Sequence, residues 1–284
     1  MTGWVGIADH PRQPRRLPGR LVLLGHPVSH SLSPLVHNAA LAADGIALTY
    51  EALDVEPSTF DRVLAELRSQ RAAGNVTIPH KERMCRACDT LTPLARRVGA
   101  VNVFWFGDDG RLVGDNTDVG GFNAVASGGA GAPPPRAISV GVLGAGGAAA
   151  AVLAAVETWP GCNAHVYNRT PERAVLLCER FSAFAHAVDD VGVIGGADLV
   201  VNATSIGLTN NSVPIDLSLL RPDARVIDLV YRRTETRFVC ALRSRGIQAM
   251  DGRSMLVEQA ALAFERWFGL TGDRHVMHKA IATG

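Results

Sequence analysis

The chain has 284 residues, a formal net charge of +1 and 47% hydrophobic content. That length accommodates one large domain or two ordinary ones, and the apolar fraction supplies real cores, which excludes a disordered protein. Near-neutral charge argues against nucleic acid or an anionic membrane as partner, and no apolar run approaches the roughly 20 residues of a membrane span.

Residues 1–19 hold Arg12, Arg15 and Arg16 among prolines, with no apolar stretch after them. They are expected to form a flexible extension rather than a secretory signal. Leu21–Gly25 is a buried strand, and Ser33-Pro34 provides an N-cap and first-turn proline for a helix reaching Asp44-Gly45. Ala47–Leu53 is a second strand, Phe60–Arg68 an amphipathic helix and Gly74–Thr77 a third strand, with Pro79 opening the next helix. Ala100–Phe106 and Arg111–Gly114 flank Asp108-Asp109-Gly110, a hairpin signal. This first segment is therefore α/β with a mixed sheet. A helix starts near Asp118, and Ser127–Pro135 is turn-rich. From Ile138 to Met250 strands and helices alternate, which predicts a parallel sheet with crossover helices. A final amphipathic helix covers about Met255–Phe268.

Asn75-Val76-Thr77-Ile78-Pro79-His80-Lys81 places a lysine in the first turn of a helix. Partial positive charge at a helix start disfavours a second cation and pushes an amine toward neutrality, so Lys81 is the candidate proton carrier. Gly144-Ala145-Gly146-Gly147-Ala148-Ala149 follows a strand and opens a helix, matching the dinucleotide fingerprint that seats a pyrophosphate on free N–H groups. The next strand ends in Asn168-Arg169-Thr170-Pro171, without the acid that would accept a ribose hydroxyl. Arg169, with Arg173 one turn further on, can instead pair with a 2′-phosphate, and Thr170 is expected to cap the following helix, so NADP(H) is the expected cofactor. The five cysteines (Cys85, Cys88, Cys162, Cys178, Cys240) are too few and odd in number for a disulfide scaffold and point to a reduced, cytoplasmic setting. Cys85-x-x-Cys88 has no second pair and no histidine at zinc spacing, so no metal is expected. His26, His30, His37 and His80 look exposed near the serine-rich loop, and are expected to be structural.

These motifs, together with Ser29-His30-Ser31-Leu32-Ser33-Pro34, Gly99–Asn102, Gly114–Asp118, Asn202–Ser205, Tyr231 and Met255–Gln259, resemble the shikimate dehydrogenase family over nearly the whole chain after the extension. The resemblance implies NADPH-dependent, reversible reduction of 3-dehydroshikimate to shikimate on the route to aromatic amino acids. It implies that Ser29 and Ser31 bind the substrate carboxylate with Tyr231 nearby. Thr77, Asn102 and Gln259 surround the ring hydroxyls with Lys81 and Asp118, and those last two residues form the catalytic pair. The cofactor would be held by Gly144, Ala145, Gly146, Gly147, Ala148, Asn168, Arg169, Thr170, Arg173, Thr204, Leu229, Gly252 and Met255. Residues 20–117 plus 252–284 would form the substrate domain and 118–251 a Rossmann domain, hinged near Asp118 and Asp251-Gly252. A small polyhydroxylated acid must be recognised by hydrogen bonds, which suits this residue set. The sequence departs from the family pattern at Ala150, Arg237, Arg253 and Ser254. A quinate or aminated-substrate paralogue, and a catalytically silent NADP(H) sensor, are the alternatives. The partners expected are small molecules, with the chain a monomer or homodimer.

Overall fold

Leu21–Gly25 (β1) is wholly apolar or glycine, and both its edges are paired, in parallel with Tyr50–Asp54 (β2) and Ala73–Val76 (β3). A strand buried on both faces reads as a continuous apolar run, as this one does. The computed structural model describes residues 17–127 and 137–283. Most of the 1–19 extension, and all but the first residue of the Ser127–Pro135 turn segment, therefore lie outside the described residues.

The chain divides into two compact units. The first runs to Thr117 and takes in Ala261–Asp273. Its other elements are Ser33–Ala43 (α1), Phe60–Ser69 (α2), Lys81–Ala87 (α3), Thr90–Leu91 (β4), Pro93–Val98 (α4), Val103–Phe106 (β5) and Leu112–Asp115 (β6). Its sheet has the order β2-β1-β3-β5-β6-β4, with β5 antiparallel to both β3 and β6. The mixed sheet and the hairpin expected from the sequence are both present. Phe60, Leu64 and Leu67 of α2 and Met84 of α3 pack with Val22, Leu24, Val76 and Phe104 from the sheet. Thr92 caps α4 by accepting from Ala95 N–H (3.1 Å), Pro93 sits in its first turn, and Gly99 at φ 69° ends it.

The second unit comprises Asp118–Ala260 and the chain from Arg274. It holds Asp118–Ala126 (α5), Ser139–Leu143 (β7), Gly147–Val156 (α6), Asn163–Tyr167 (β8), Pro171–Arg180 (α7), Ala185–Ala187 (β9) and Val191–Gly195 (α8). Leu199–Asn202 (β10), Arg225–Asp228 (β11), Arg237–Arg243 (α9) and Gln248–Met250 (β12) follow. Arg253–Phe268 (α10) spans the boundary between the units, and Arg274–Thr283 (α11) closes the chain. The sheet is parallel throughout, ordered β12-β11-β10-β7-β8-β9. Read from β9, that is the 3-2-1-4-5-6 order of a doubly wound nucleotide fold, with its switch point between β7 and β10. α6 reads GAAAAVLAAV and is buried from Ala149 to Val156, as a helix apolar on every side must be.

The unit boundary differs from the sequence expectation, which gave all of 252–284 to the first domain. Residues 252–260 and 274 onward group with the second unit. The contacts give the reason. A Cβ on Gly121 of α5 would lie only 2.9 Å from Gln259 Cβ, so α5 and the first half of α10 touch backbone to side chain. Arg274 reaches back to Glu258 (2.7 Å). The second half of α10 belongs to the first unit: Trp267, 1% exposed, donates Nε1–H to Phe104 C=O (3.2 Å). Beside it Arg266 Nε donates to Asp115 Oδ2 (2.7 Å).

Asp115 is 1% exposed and also accepts from Thr92 Oγ1 and from Asn116 N–H (2.7 Å). Removing Arg266 leaves that buried carboxylate without its counter-charge. Arg266→Ala is expected to cost about 3–4 kcal/mol in urea unfolding, the lower half of the buried-pair range because Arg266 is partly solvated. A loss under about 0.5 kcal/mol would show that the pair is not what holds this half of α10.

Candidate functional site

In the first unit the predicted residues gather where β1 and β3 end. Thr77 N–H donates to Leu24 C=O (2.8 Å), His26 N–H to Ile78 C=O (2.9 Å), Val76 N–H to Asn102 C=O (2.8 Å) and Val101 N–H to Lys81 C=O (3.0 Å). These bonds bring the Ser29–Ser31 loop, the Thr77–Lys81 turn and Asn102 together. Ser29 is exposed and Ser31, Thr77 and Lys81 are half-buried, while Asn102 is 2% exposed. Ser31 Oγ accepts from Ser33 N–H (3.2 Å), which leaves its own O–H to be donated. Asn102 Oδ1 accepts from Thr117 N–H (2.7 Å) and its Nδ2 donates to Thr117 Oγ1 (3.0 Å), which fixes the amide's orientation. Lys81 is the first residue of α3. The cluster presents hydroxyls, an amide and one ammonium, the donor set for a small anionic polyol.

Several local readings are corrected. Pro79 does not open the helix. It lies in the turn closed by His80 N–H donating to Thr77 C=O (2.9 Å), after a cis Ile78–Pro79 bond, and α3 begins two residues later. Ser33 is not the N-cap: Leu32 holds that position and Ser31 supplies the side-chain oxygen. His37 and His80 are not exposed (0% and 1%). Burial pushes the His37 pKa down to about 3, so it is a neutral core ring, and the His80 ring bonds Val55 C=O. Burial likewise pushes the Cys88 thiol up to about 12.

In the second unit the glycine turn follows β7 at the switch point. Gly144 has φ 107°, and a Cβ there would lie 2.9 Å from Ala203 C=O and 3.1 Å from the Thr204 methyl, so only glycine fits. The turn and Thr204 are thus neighbours. Gly146 has open space where a side chain would stand, directly before the first-turn N–H groups of α6. That cradle and those donors fit a pyrophosphate. Arg169, Thr170 and Arg173 lie at and just beyond the tip of β8, and Asn168 Nδ2 donates to Thr170 C=O (2.8 Å) to shape the turn. Thr170 is the N-cap of α7, but its side chain makes no capping bond, contrary to the sequence expectation. Two guanidinium groups without an acid on the strand tip fit a 2′-phosphate.

On the same side Gly252 N–H donates to Val230 C=O (3.1 Å), and a Cβ on Gly252 would come within 2.3 Å of Leu229 C=O and 3.3 Å of the Tyr231 ring. Leu229, Tyr231 and Gly252 therefore sit together, with Met255 in the first turn of α10. The departing Arg253 pairs with both carboxylate oxygens of Asp251 (3.1 and 2.8 Å). Asp118 starts α5 at 5% exposure, and Gln259 lies on α10, which Gly121 of α5 abuts. Gln259 Nε2 donates to Leu256 C=O (3.0 Å).

Sequence reasoning overlooked a buried knot beneath these loops. Asn202 Nδ2 donates to Asp228 Oδ1 (2.8 Å), while its Oδ1 accepts from Thr204 N–H (3.1 Å) and Thr204 Oγ1 (2.7 Å). Asp228 also accepts from Thr236 Oγ1 (2.7 Å) and Val230 N–H (3.1 Å). The knot ties the ends of β10 and β11 to the cap of α9. Its signal was an acid directly after the apolar pair Val226-Ile227 at the end of a strand.

The chain is similar to known proteins. Residues 23–104 match the shikimate dehydrogenase substrate binding domain, and residues 252–282 the shikimate 5'-dehydrogenase C-terminal domain. The chain is 45% identical to the shikimate dehydrogenase (NADP(+)) of Methylobacterium radiotolerans, over 88% of this chain and 91% of that one. It is 42% identical to that of Rubrobacter xylanophilus, over 92% and 94%. Among solved structures, the shikimate 5-dehydrogenase of Thermus thermophilus, in complex with NADP(H) and shikimate, is similar with a TM-score of 0.82 at 40% identity, over 92% and 98% of the two chains.

Burial pushes the Asp228 carboxyl up to about 6, with Asp251 adding to the rise and the Thr236, Asn202 and Val230 donors opposing it. A carboxyl raised on folding takes up a proton in the folded state, so the stability it contributes is full below about pH 4 and lost as pH rises through about 6. In urea unfolding the chain is expected to lose roughly 2–3 kcal/mol over that window relative to Asp228→Asn, which cannot titrate. Parallel pH profiles for the two proteins would contradict the assignment.

Proposed function

The chain belongs to the shikimate dehydrogenase family, and we propose that it interconverts 3-dehydroshikimate and shikimate with NADP(H). The observation that carries the reading is one chain holding both half-sites. One is the hydroxyl, amide and ammonium cluster at the ends of β1 and β3. The other is a glycine turn at the switch point of a doubly wound sheet with arginines at the neighbouring strand tip.

Ser29 and Ser31 donate hydroxyl hydrogens to the substrate carboxylate, and the Tyr231 phenol completes that end. Thr77, Asn102 and Gln259 read the ring hydroxyls, so an analogue lacking one leaves a donor unpaired and is rejected. The N–H groups at the Gly144–Ala148 turn hold the pyrophosphate, Arg169 and Arg173 pair with the 2′-phosphate, and Asn168, Thr170 and Thr204 shape the turns around them. Leu229, Gly252 and Met255 border the nicotinamide. Bound NADPH supplies a hydride to the carbonyl carbon. Lys81 Nζ gives its proton to the carbonyl oxygen as negative charge develops there, and takes it back in the oxidative direction. Asp118 is the second member of the catalytic pair, the carboxylate that orients the lysine for this transfer. The substrate domain is built on 20–117 and the cofactor domain on 118–251. No described helix is long and apolar enough to cross a membrane. The setting proposed is the reduced cytoplasm, where all five cysteines stay free, with the chain a monomer or homodimer.

Nicotinamide absorbance with shikimate or quinate against NADP+ or NAD+ tests the reading: shikimate with NADP+ is expected to be the fastest pair, and equal rates with quinate or NAD+ would contradict it. Lys81→Ala is expected to lower turnover by at least about 100-fold while NADPH still binds. Near-normal turnover would remove Lys81 from the mechanism. Arg169→Ala is expected to weaken NADPH about tenfold more than NADH, the scale of one lost charge-assisted pair. Equal losses for both cofactors would refute the phosphate contact.

A further inference from the structure

Asn75 opens the most informative motif of the chain, yet neither catalysis nor binding uses it. It lies on β3 at 4% exposure, and its two amide ends face two different residues. Asn75 Oδ1 accepts from the Tyr50 hydroxyl (2.8 Å), and Asn75 Nδ2 donates to Asn102 C=O (3.1 Å). That carbonyl also accepts from Val76 N–H (2.8 Å), while Asn102 N–H donates to Asp115 C=O (3.2 Å). The backbone of Asn102 is therefore held from β3 and from β6 at once. Its side-chain amide is held by Thr117, so a shift of the backbone carries the amide with it.

Tyr50 is itself fixed. Its backbone N–H donates to Asn38 Oδ1 (2.8 Å) and its C=O accepts from Asn38 Nδ2 (3.0 Å). Its ring stacks on His37 at 4.4 Å and tilts against Trp267 at 6.1 Å. The residue is 1% exposed, so its hydroxyl must find a partner inside the protein, and Asn75 is one. Conversely, the Asn102 carbonyl can only accept, so it keeps Nδ2 toward itself, and the Tyr50 hydroxyl, donating to Oδ1, anchors the other end of the same amide. Without that hydroxyl the buried Oδ1 loses its phenol donor, and the amide is held less firmly against the Asn102 carbonyl.

We propose that Tyr50 and Asn75 are positioning residues for the reaction, the phenol setting the Asn75 amide so that it holds Asn102 in register for a substrate hydroxyl. The inference rests on the proposed function through Asn102. Tyr50→Phe removes one oxygen and keeps the ring contacts. It is expected to raise the KM for shikimate about tenfold, the scale of one buried hydrogen bond misplaced, with the KM for NADP+ unchanged within about twofold. Asn75→Leu is expected to do the same, and Tyr50→Phe in the Asn75→Leu background to add less than about twofold, because the phenol reaches Asn102 through that amide. Additive losses, equal changes in both Michaelis constants, or a shikimate KM close to that of the unaltered chain would each overturn the proposal. Asn75→Asp keeps the acceptor for Tyr50 but turns an oxygen toward Asn102 C=O. It supplies an independent arm should either first variant fail to fold, with the same rise expected and an unchanged KM overturning the link. If the unaltered chain does not oxidise shikimate with NADP+, the proposed function fails; if it does and the variants are additive, only this link fails.

Discussion

A polyhydroxylated acid offers almost no apolar area, so a protein that recognises it must use hydrogen bonds whose donors are already in place. That requirement governs this molecule. Ser29, Ser31, Thr77 and Asn102 each stand on a loop or turn near a strand end, Lys81 opens α3 beside them, and backbone bonds lock those segments. Thr77 is tied to Leu24, His26 to Ile78 and Asn102 to Val76. Loops held in this way lose their conformational freedom on folding rather than on binding. The buried Asp115–Arg266 pair and the Trp267 indole extend the same support to the second half of α10.

The second unit meets a different constraint. Its ligand is large and charged, and the parallel sheet provides the place for it, because strand order reverses beside β7. Backbone must approach backbone closely there. Gly144 against Ala203 and Gly252 against Leu229 are positions where a Cβ would collide with a carbonyl. Such bare loops need fixing from beneath, and the Asn202–Asp228–Thr236 knot does so while desolvating a carboxyl. The arginines beyond the β8 tip, in contrast, face solvent, so their contribution to a phosphate contact should fall as salt screens them.

Much of this was legible in the chain. Apolar runs ended by glycine or by polar turns marked β1, β7 and β10, and the glycine fingerprint marked its own fold. The second sheet was legible because alternating strands and helices admit few arrangements. Short elements were not. β4, β9 and α8 have five residues or fewer, too few for a periodicity to show, and they exist because neighbouring strands pair or cover them. Pro79 and Ser33 carried sound local signals for helix starts, but bonds of the preceding turns, His80 N–H to Thr77 C=O and Ser33 N–H to Ser31 Oγ, set the starts one or two residues away. His37 was misread because polarity suggests exposure, whereas Tyr50 and Trp267 enclose its ring. The division of α10 between units was invisible because the helix is periodic from end to end; what separates its halves is Gly121 on one side and Phe104 and Asp115 on the other. Tyr50 and Asn75 were silent because their importance lies in bonds between residues far apart in sequence.

A structure of the chain with shikimate and NADP+ both bound tests the central claim most directly. The account predicts Lys81 Nζ and the reactive nicotinamide carbon each about 3–3.5 Å from the same carbon–oxygen group of the substrate, the separation of a near-attack arrangement. Shikimate held with its reactive hydroxyl beyond hydrogen-bond reach of Lys81, or away from the nicotinamide, would contradict it.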